Sequence, residues 1–134
     1  MAADTLPCAD LPLSRLLLMN DARYPWCILV PRRAGIREWY ELDDDDQAQL
    51  LKESIWLGRT LMQRFGGDKL NVAALGNVVP QLHLHHVVRR QGDGAWPAPV
   101  WGRGPAEPYP PKQARDHCAV LQAAVAESGF ERSD

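Results

Sequence analysis

Residues 79–90 gather three of the chain's four histidines, His83, His85 and His86, within four positions of an otherwise apolar run. A neutral imidazole is a competent nucleophile near pH 7, a proton carrier and a common metal ligand. In a β-strand alternate residues share a face. Gln81, His83 and His85 are therefore expected on one side, and Leu82, Leu84 and His86 on the other. Positions two apart on one face lie about 7 Å from each other, a spacing at which two imidazoles can converge on one phosphate or one metal ion. Packing alone is a poor reason for such alternation, because each buried ring nitrogen needs a partner. His86 falls on the apolar side and reads as a satisfied packing or interface residue. His117, isolated near the end of the chain, reads as surface or packing.

Other chemistry-bearing residues bound the alternatives. A His-x-His pair on a strand also serves zinc and iron proteins, where a third His or a carboxylate completes the shell. No such companion stands near His83 and His85 in the sequence, and Cys8, Cys27 and Cys118 form no paired motif. An odd number of widely spaced cysteines is expected to be free thiols in a reducing cytosol. The run Asp43 to Asp46 suits a capped, solvated helix start better than a metal site.

The elements that must position the histidines are read from periodicity. Residues 13–19 and 26–30 read as two antiparallel strands, separated by turn chemistry at Asn20-Asp21 and Pro25. A helix is expected over 43–65, with Leu50, Leu51, Leu57, Leu61, Met62 and Phe65 on one stripe and Gly66-Gly67 as its stop. Strands over 69–75 and 81–90 follow. Residues 91–111 form a long Gly- and Pro-rich connection bearing Trp96, Trp101 and Tyr109, and loops of that length are often functional. A last helix starts at Pro111 and runs to 128. Residues 1–12, with Pro7 and Pro12, read as a leader.

One domain of α+β class with a mainly antiparallel sheet accounts for this order in 134 residues. The formal net charge of −2 gives no general pull toward nucleic acid. The longest apolar run near the N-terminus, Leu16 to Met19, is far short of the roughly 20 residues a membrane span needs. A small-molecule partner bound at a local site is the expectation.

Gln81-Leu82-His83-Leu84-His85, followed by Arg89, resembles the signature of the histidine triad (HIT) family, His-φ-His-φ-His-φ-φ with φ apolar. Asn20-Asp21, Pro25 and the strand into Val30-Pro31 resemble the hairpin from which that family contacts ribose. Asn71 and the Gly76-Asn77 pair resemble polar positions that precede the triad. The match covers residues 13–90, and the phrases at 76–83 and 96–102 resemble a bacterial subgroup of short HIT proteins of diadenosine polyphosphate hydrolase type. The resemblance implies a sheet of about five strands with a central and a C-terminal helix, a homodimer, and a cytoplasmic nucleotide hydrolase or nucleotidyl transferase. It makes His83 the nucleophile that forms a nucleotidyl-imidazole (phosphoramidate) intermediate at the α-phosphorus. His85 then holds phosphoryl oxygens or protonates the leaving group, with Gln81 as third member. Asn20 or Asp21, Asn71, Asn77 and Arg89 become nucleotide-binding candidates, with Ile28 or Leu18 against the base. No metal or other cofactor is called for. The sequence departs from the pattern at Gln81, where most members carry His, and at Cys27, matched to a supporting fourth His. A non-catalytic nucleotide sensor on the same scaffold is the alternative reading.

Overall fold

The computed structural model describes residues 4–130. Its elements are β1 (Thr5–Asp10), β2 (Ser14–Met19), β3 (Trp26–Pro31), a short 3-10 turn (Trp39–Glu41), α1 (Asp44–Phe65), β4 (Lys69–Ala73), β5 (Leu84–Arg89) and α2 (Pro111–Glu127). The strands form one antiparallel sheet in the order β1-β2-β3-β5-β4. The expected class, helices and sheet are all present.

The expected leader is corrected. Residues 1–3 lie outside the described residues, but Thr5–Asp10 pairs with β2 and carries a register shift between Pro7 and Ala9. A proline is tolerated in an edge strand, because its missing N–H falls on the side without a ladder partner or at a bulge. Pro7 therefore interrupts the pattern without ending the strand.

Capping sets the ends of α1. The Asp43 carboxylate accepts the Asp46 N–H at 2.8 Å, and Gly66 closes the helix at φ 63°, a conformation that suits glycine. Leu50, Leu57 and Leu61 are fully buried. Leu51, expected on the same stripe, is exposed, since adjacent helical residues point about 100° apart. Both helices pack on one face of the sheet, α1 against β4 and β5 and α2 against β1. Their core contains Leu16, Leu18, Leu29, Leu84 and Val88 from the strands with Leu57, Leu61 and Leu121 from the helices. The other face carries Trp26, Ile28 and Val87 and is covered by Tyr24, Ala95, Val100 and Trp101. The long connection after β5 is thus the second layer of the domain.

The expectation of three free thiols is also corrected. Cys8 of β1 and Cys118 of α2 form a disulfide, and only Cys27 is free. The two sulfurs are 110 residues apart in sequence, and only the docking of α2 onto β1 brings them together. The cysteine count therefore no longer points to a reducing compartment. No helix among the described residues is long and apolar enough to cross a membrane.

Candidate functional site

β5 enters the sheet between β3 and β4, and its register decides what each histidine meets. Ile28 of β3 lies opposite His85, and Cys27 lies opposite His86. Opposed residues in an antiparallel pair share a face. His85 therefore lies on the loop-covered side with Ile28, and His86 on the helix side with Cys27.

His83 immediately precedes β5. Its ring lies 4.9 Å from that of His85, centroid to centroid, and both residues are buried to within 6% exposure. They line a cavity of about 410 Å³ together with Met19, Ile28, Asn77 and Val78, and with Asp4 and Thr5 from the start of β1. Gly76 turns the chain into this wall at φ 80°. The cavity thus joins two imidazoles to apolar walls and a few polar groups, the usual make-up of a small-molecule site.

The protonation pattern follows from hydrogen-bond partners that have only one role. His83 Nδ1 lies 2.6 Å from the Gln81 carbonyl oxygen. A carbonyl can only accept, so Nδ1 carries the proton and Nε2 of the neutral ring keeps its lone pair. His85 is the reverse. The indole Nε1–H of Trp26 donates to His85 Nδ1 at 3.0 Å, and an indole N–H can only donate. His85 Nδ1 is thus an acceptor, and the ring's own proton sits on Nε2. Burial, reinforced by His83 and His86, pushes the His85 pKa down to about 4, which keeps the ring neutral at pH 7. One ring presents a lone pair and its neighbour presents an N–H.

His86 is satisfied elsewhere, as the alternation suggested. Its Nδ1 donates to the Leu84 carbonyl at 3.2 Å, and its Nε2 lies 2.7 Å from the Ser54 hydroxyl of α1. His117 is a packing residue between Phe65 and Tyr109.

Several candidates lie elsewhere. The ladder of β5 begins at Leu84, so strand alternation does not reach Gln81. The Gln81 amide turns to the carbonyls of Pro31 and Arg33 at 3.5 and 3.4 Å and is absent from the wall of the histidine cavity. Leu18 lies opposite Cys27 and packs in the helix-side core, whereas Ile28 does line the cavity. Asn20 accepts the Tyr109 N–H at 2.9 Å and borders a separate hollow beside Cys118. Asp21 is buried, ion-paired to Arg23 at 2.8 Å, and accepts the Glu107 N–H. Arg89 is 2% exposed, bound through two nitrogens to Asp93 at 2.8 and 2.9 Å and through a third to Asn71 at 3.0 Å. Asn20, Asp21, Asn71 and Arg89 thus anchor the connection between β5 and α2, and Asn77 alone of the polar candidates borders the cavity. Asp93 in turn accepts the N–H groups of Ala95 and Trp96. Bonded to Arg89, its carboxyl is held well below the usual carboxylate range.

Two contributors escaped the sequence reading. β1, taken for a leader, brings Asp4 and Thr5 to the cavity. Trp26, not Cys27, is the β3 side chain that touches the histidine pair. Cys27 faces the helices, and burial pushes its thiol up to about 12. The readable signal was parity, because Trp26 and Ile28 alternate onto one face of β3. Trp101 packs against the same face, with its ring 5.5 Å from His85 and 5.9 Å from Trp26.

Among the described residues no group of three or more His, Cys, Asp or Glu is arranged to hold a metal ion. No curated protein matches the chain. A solved histidine triad protein from Marinobacter aquaeolei VT8 is 56% identical, with 94% of this chain and 92% of that one covered and a TM-score of 0.91. Histidine triad proteins from Sinorhizobium meliloti and Bradyrhizobium japonicum are 46% and 44% identical, both with TM-scores of 0.90. The first alignment covers 92% of this chain and 91% of the relative, and the second covers 92% of each. The HIT domain model matches residues 4–92, which span β1 to β5 and include the whole histidine strand. The chain belongs to the histidine triad family.

Proposed function

We propose that the protein binds a nucleotide in the His83–His85 cavity and hydrolyses it at the α-phosphorus through a nucleotidyl-histidine intermediate. The observation that carries this reading is the 2.6 Å bond from His83 Nδ1 to the Gln81 carbonyl, which leaves Nε2 as the nucleophilic nitrogen. As Nε2 bonds to phosphorus, the ring gains positive charge, and the carbonyl dipole against Nδ1–H stabilises it. The Nε2–H of His85 and the Asn77 amide supply donors for phosphoryl oxygens. A covalent step divides one hard displacement into two easier ones. Met19, Ile28 and Val78 offer apolar surface for the nucleoside. Candidate leaving groups are a second nucleotide or polyphosphate, and the amine of a phosphoramidate.

The test is incubation with adenosine and guanosine polyphosphates and phosphoramidates, with product analysis and mass spectrometry of the acid-quenched protein. The expected result is a nucleoside monophosphate product and an adduct of one nucleotide on His83. Tight nucleotide binding with neither product nor adduct supports the sensor reading instead.

A homodimer belongs to the same proposal. The tryptophans of the long connection do not supply the surface, since Trp101 packs on Trp26 and His85, and Trp96 lies over Arg89. The support is instead that Leu51 and Ile55 of α1 and Val72 of edge strand β4 are about half exposed. Light scattering at tens of micromolar that finds only monomer removes it.

A further inference from the structure

Trp26 does more to His85 than hold it in place. A hydrogen-bond donor that cannot accept sits 3.0 Å from His85 Nδ1. A protonated His85 would carry N–H on both nitrogens, and its Nδ1–H would face the indole N–H, donor against donor. Nor can the indole pass a proton to Nδ1. His85 therefore has one proton, on Nε2, and no supply to replace it. If a neutral imidazole released that proton it would become an imidazolate, which is inaccessible near neutral pH. The ring can point its N–H at an oxygen, but it cannot act as an acid.

We propose that Trp26 commits His85 to hydrogen-bond donation without proton transfer, and so confines the protein to nucleoside phosphoanhydrides, whose leaving groups depart as anions, and against alkylamine phosphoramidates. This rests on the α-phosphoryl transfer reading above and names its substrate class.

The bond changes balance without an acid. The His83 Nε2 lone pair forms the N–P bond as the P–O bond to the leaving phosphate breaks, and that oxygen keeps the electron pair. The adduct retains its Nδ1–H against the Gln81 carbonyl. Water oxygen then bonds to phosphorus, the N–P bond breaks, its electrons return to Nε2, and the proton of the water goes to solvent. An alkylamine is different, because nitrogen must gain a proton before or as the P–N bond breaks. The groups around His85 do not supply one. Trp26, Ile28 and Trp101 offer no acid, His86 is closed on Ser54 and Leu84 across the sheet, and the Nδ1–H of His83 is held by a carbonyl. Among the described residues that line the cavity, Asp4 is the one carboxylate-bearing group.

The experiment compares a diadenosine polyphosphate with the adenosine 5′-phosphoramidate of an alkylamine, on the parent and on Trp26→Phe, between pH 5.5 and 8. The parent should prefer the anhydride by at least ~10² in kcat/KM, the usual worth of a missing general acid. Trp26→Phe removes the donor opposed to Nδ1, so the preference should narrow toward the acid end of this range while it stays fixed at the alkaline end. The ratio of the two substrates at each pH cancels any pH effect that both reactions share. A purely structural role for Trp26 would lower both rates together and leave the ratio fixed. That result overturns the proposal, as does a parent that cleaves the phosphoramidate as fast as the anhydride. Imidazole ¹⁵N spectra of the ligand-free parent give a readout independent of turnover and of whether the variant folds. They should show His85 protonated at Nε2 alone, and a proton on Nδ1 overturns the proposal. Absence of turnover and adduct with both substrates instead defeats the phosphoryl-transfer reading and the substrate class with it, while the same spectra still decide whether Trp26 holds His85.

Discussion

His85 and His86 are adjacent on β5, both buried and both held to pKa values of about 4, yet the sheet gives them different work. On the helix side, both nitrogens of His86 are occupied, one by Ser54 of α1 and the other by its own strand. On the loop side, one nitrogen of His85 is bound by Trp26 and the other is bound by none of the described residues, so its N–H is available to a ligand in the cavity. Burial lowers both pKa values for the same reason, desolvation of the charged ring. Function separates from packing in the count of free nitrogens. A depressed histidine pKa alone would not tell the two apart.

The largest test of this contrast is at the nucleophile. His83→Ala should abolish the adduct and lower turnover by at least ~10³, or ~4 kcal/mol of barrier, because no other side chain can replace the attacking nitrogen. His85→Ala should retain the adduct and cost on the order of 10², as for removal of one donor to developing negative charge. His83→Ala should barely move the denaturation midpoint, whereas His85→Ala leaves the Trp26 indole N–H without its acceptor and should cost ~1–3 kcal/mol of stability. A His83→Ala protein that turns over at the parental rate breaks the assignment.

Next in size is the tie beneath the helix side. The Cys8–Cys118 bond closes a chain segment of 110 residues and pins α2 to β1. Cys118→Ser, or reduction of the parent, should lower unfolding free energy by about 2–4 kcal/mol, mainly by freeing the unfolded chain. Denaturant melts with and without reductant measure it. Equal midpoints would mean that the bond does not restrain the unfolded state.

A smaller effect is expected from the helix-side histidine. Ser54→Ala leaves His86 Nε2 buried without a partner, which should cost ~1–3 kcal/mol of stability and leave the chemistry untouched. Its pH dependence follows from linkage. In the unfolded chain both His85 and His86 take up protons near the ordinary 6.5, but in the fold not until about 4. The unfolded state binds more protons in that window, so stability is full above about pH 6.5 and declines as pH falls toward 4. Melts across that range should show the decline, and a flat profile would show that the two rings take up protons in the fold as readily as in the unfolded chain.

How much of this was legible in the sequence depended on whether a residue's role was local. The alternation of histidines, the Asp43 cap and the Gly66 stop are short-range patterns, and they placed β5 and α1 closely. β1 was hidden because Pro7 and Pro12 look like punctuation, although an edge strand tolerates Pro7 and Pro12 falls between β1 and β2. The disulfide and the Trp26–His85 bond join positions 110 and 59 residues apart, and no spacing rule reaches that far. The family resemblance makes Asn20, Asp21, Asn71 and Arg89 nucleotide-binding candidates. In the fold they bond to the backbone and charges of a long connection, which must be fastened if it is to cover a sheet face. Residue type announced polarity, and only the fold says which partner each polar group meets.

The smallest expected effect concerns Gln81, the position at which this chain departs from the usual triad. Restoring histidine there would matter if the side chain took part in the reaction. Its amide, however, makes only long contacts, 3.5 Å to the Pro31 carbonyl and 3.4 Å to that of Arg33, and Gln81 borders a small adjoining hollow with His83, not the cavity that His83 shares with His85. What His83 uses of residue 81 is the backbone oxygen, which every amino acid supplies. Gln81→His should therefore change kcat/KM by less than about fivefold in either direction, since contacts this long are worth under ~1 kcal/mol. The His83 tautomer in ¹⁵N spectra should stay the same. A rise beyond about tenfold, more than 1.4 kcal/mol of barrier, would mean that a side chain at 81 reaches the phosphate. The departure from the triad would then be a brake on the chemistry, whereas an unchanged rate makes it a substitution at a position read only through its carbonyl.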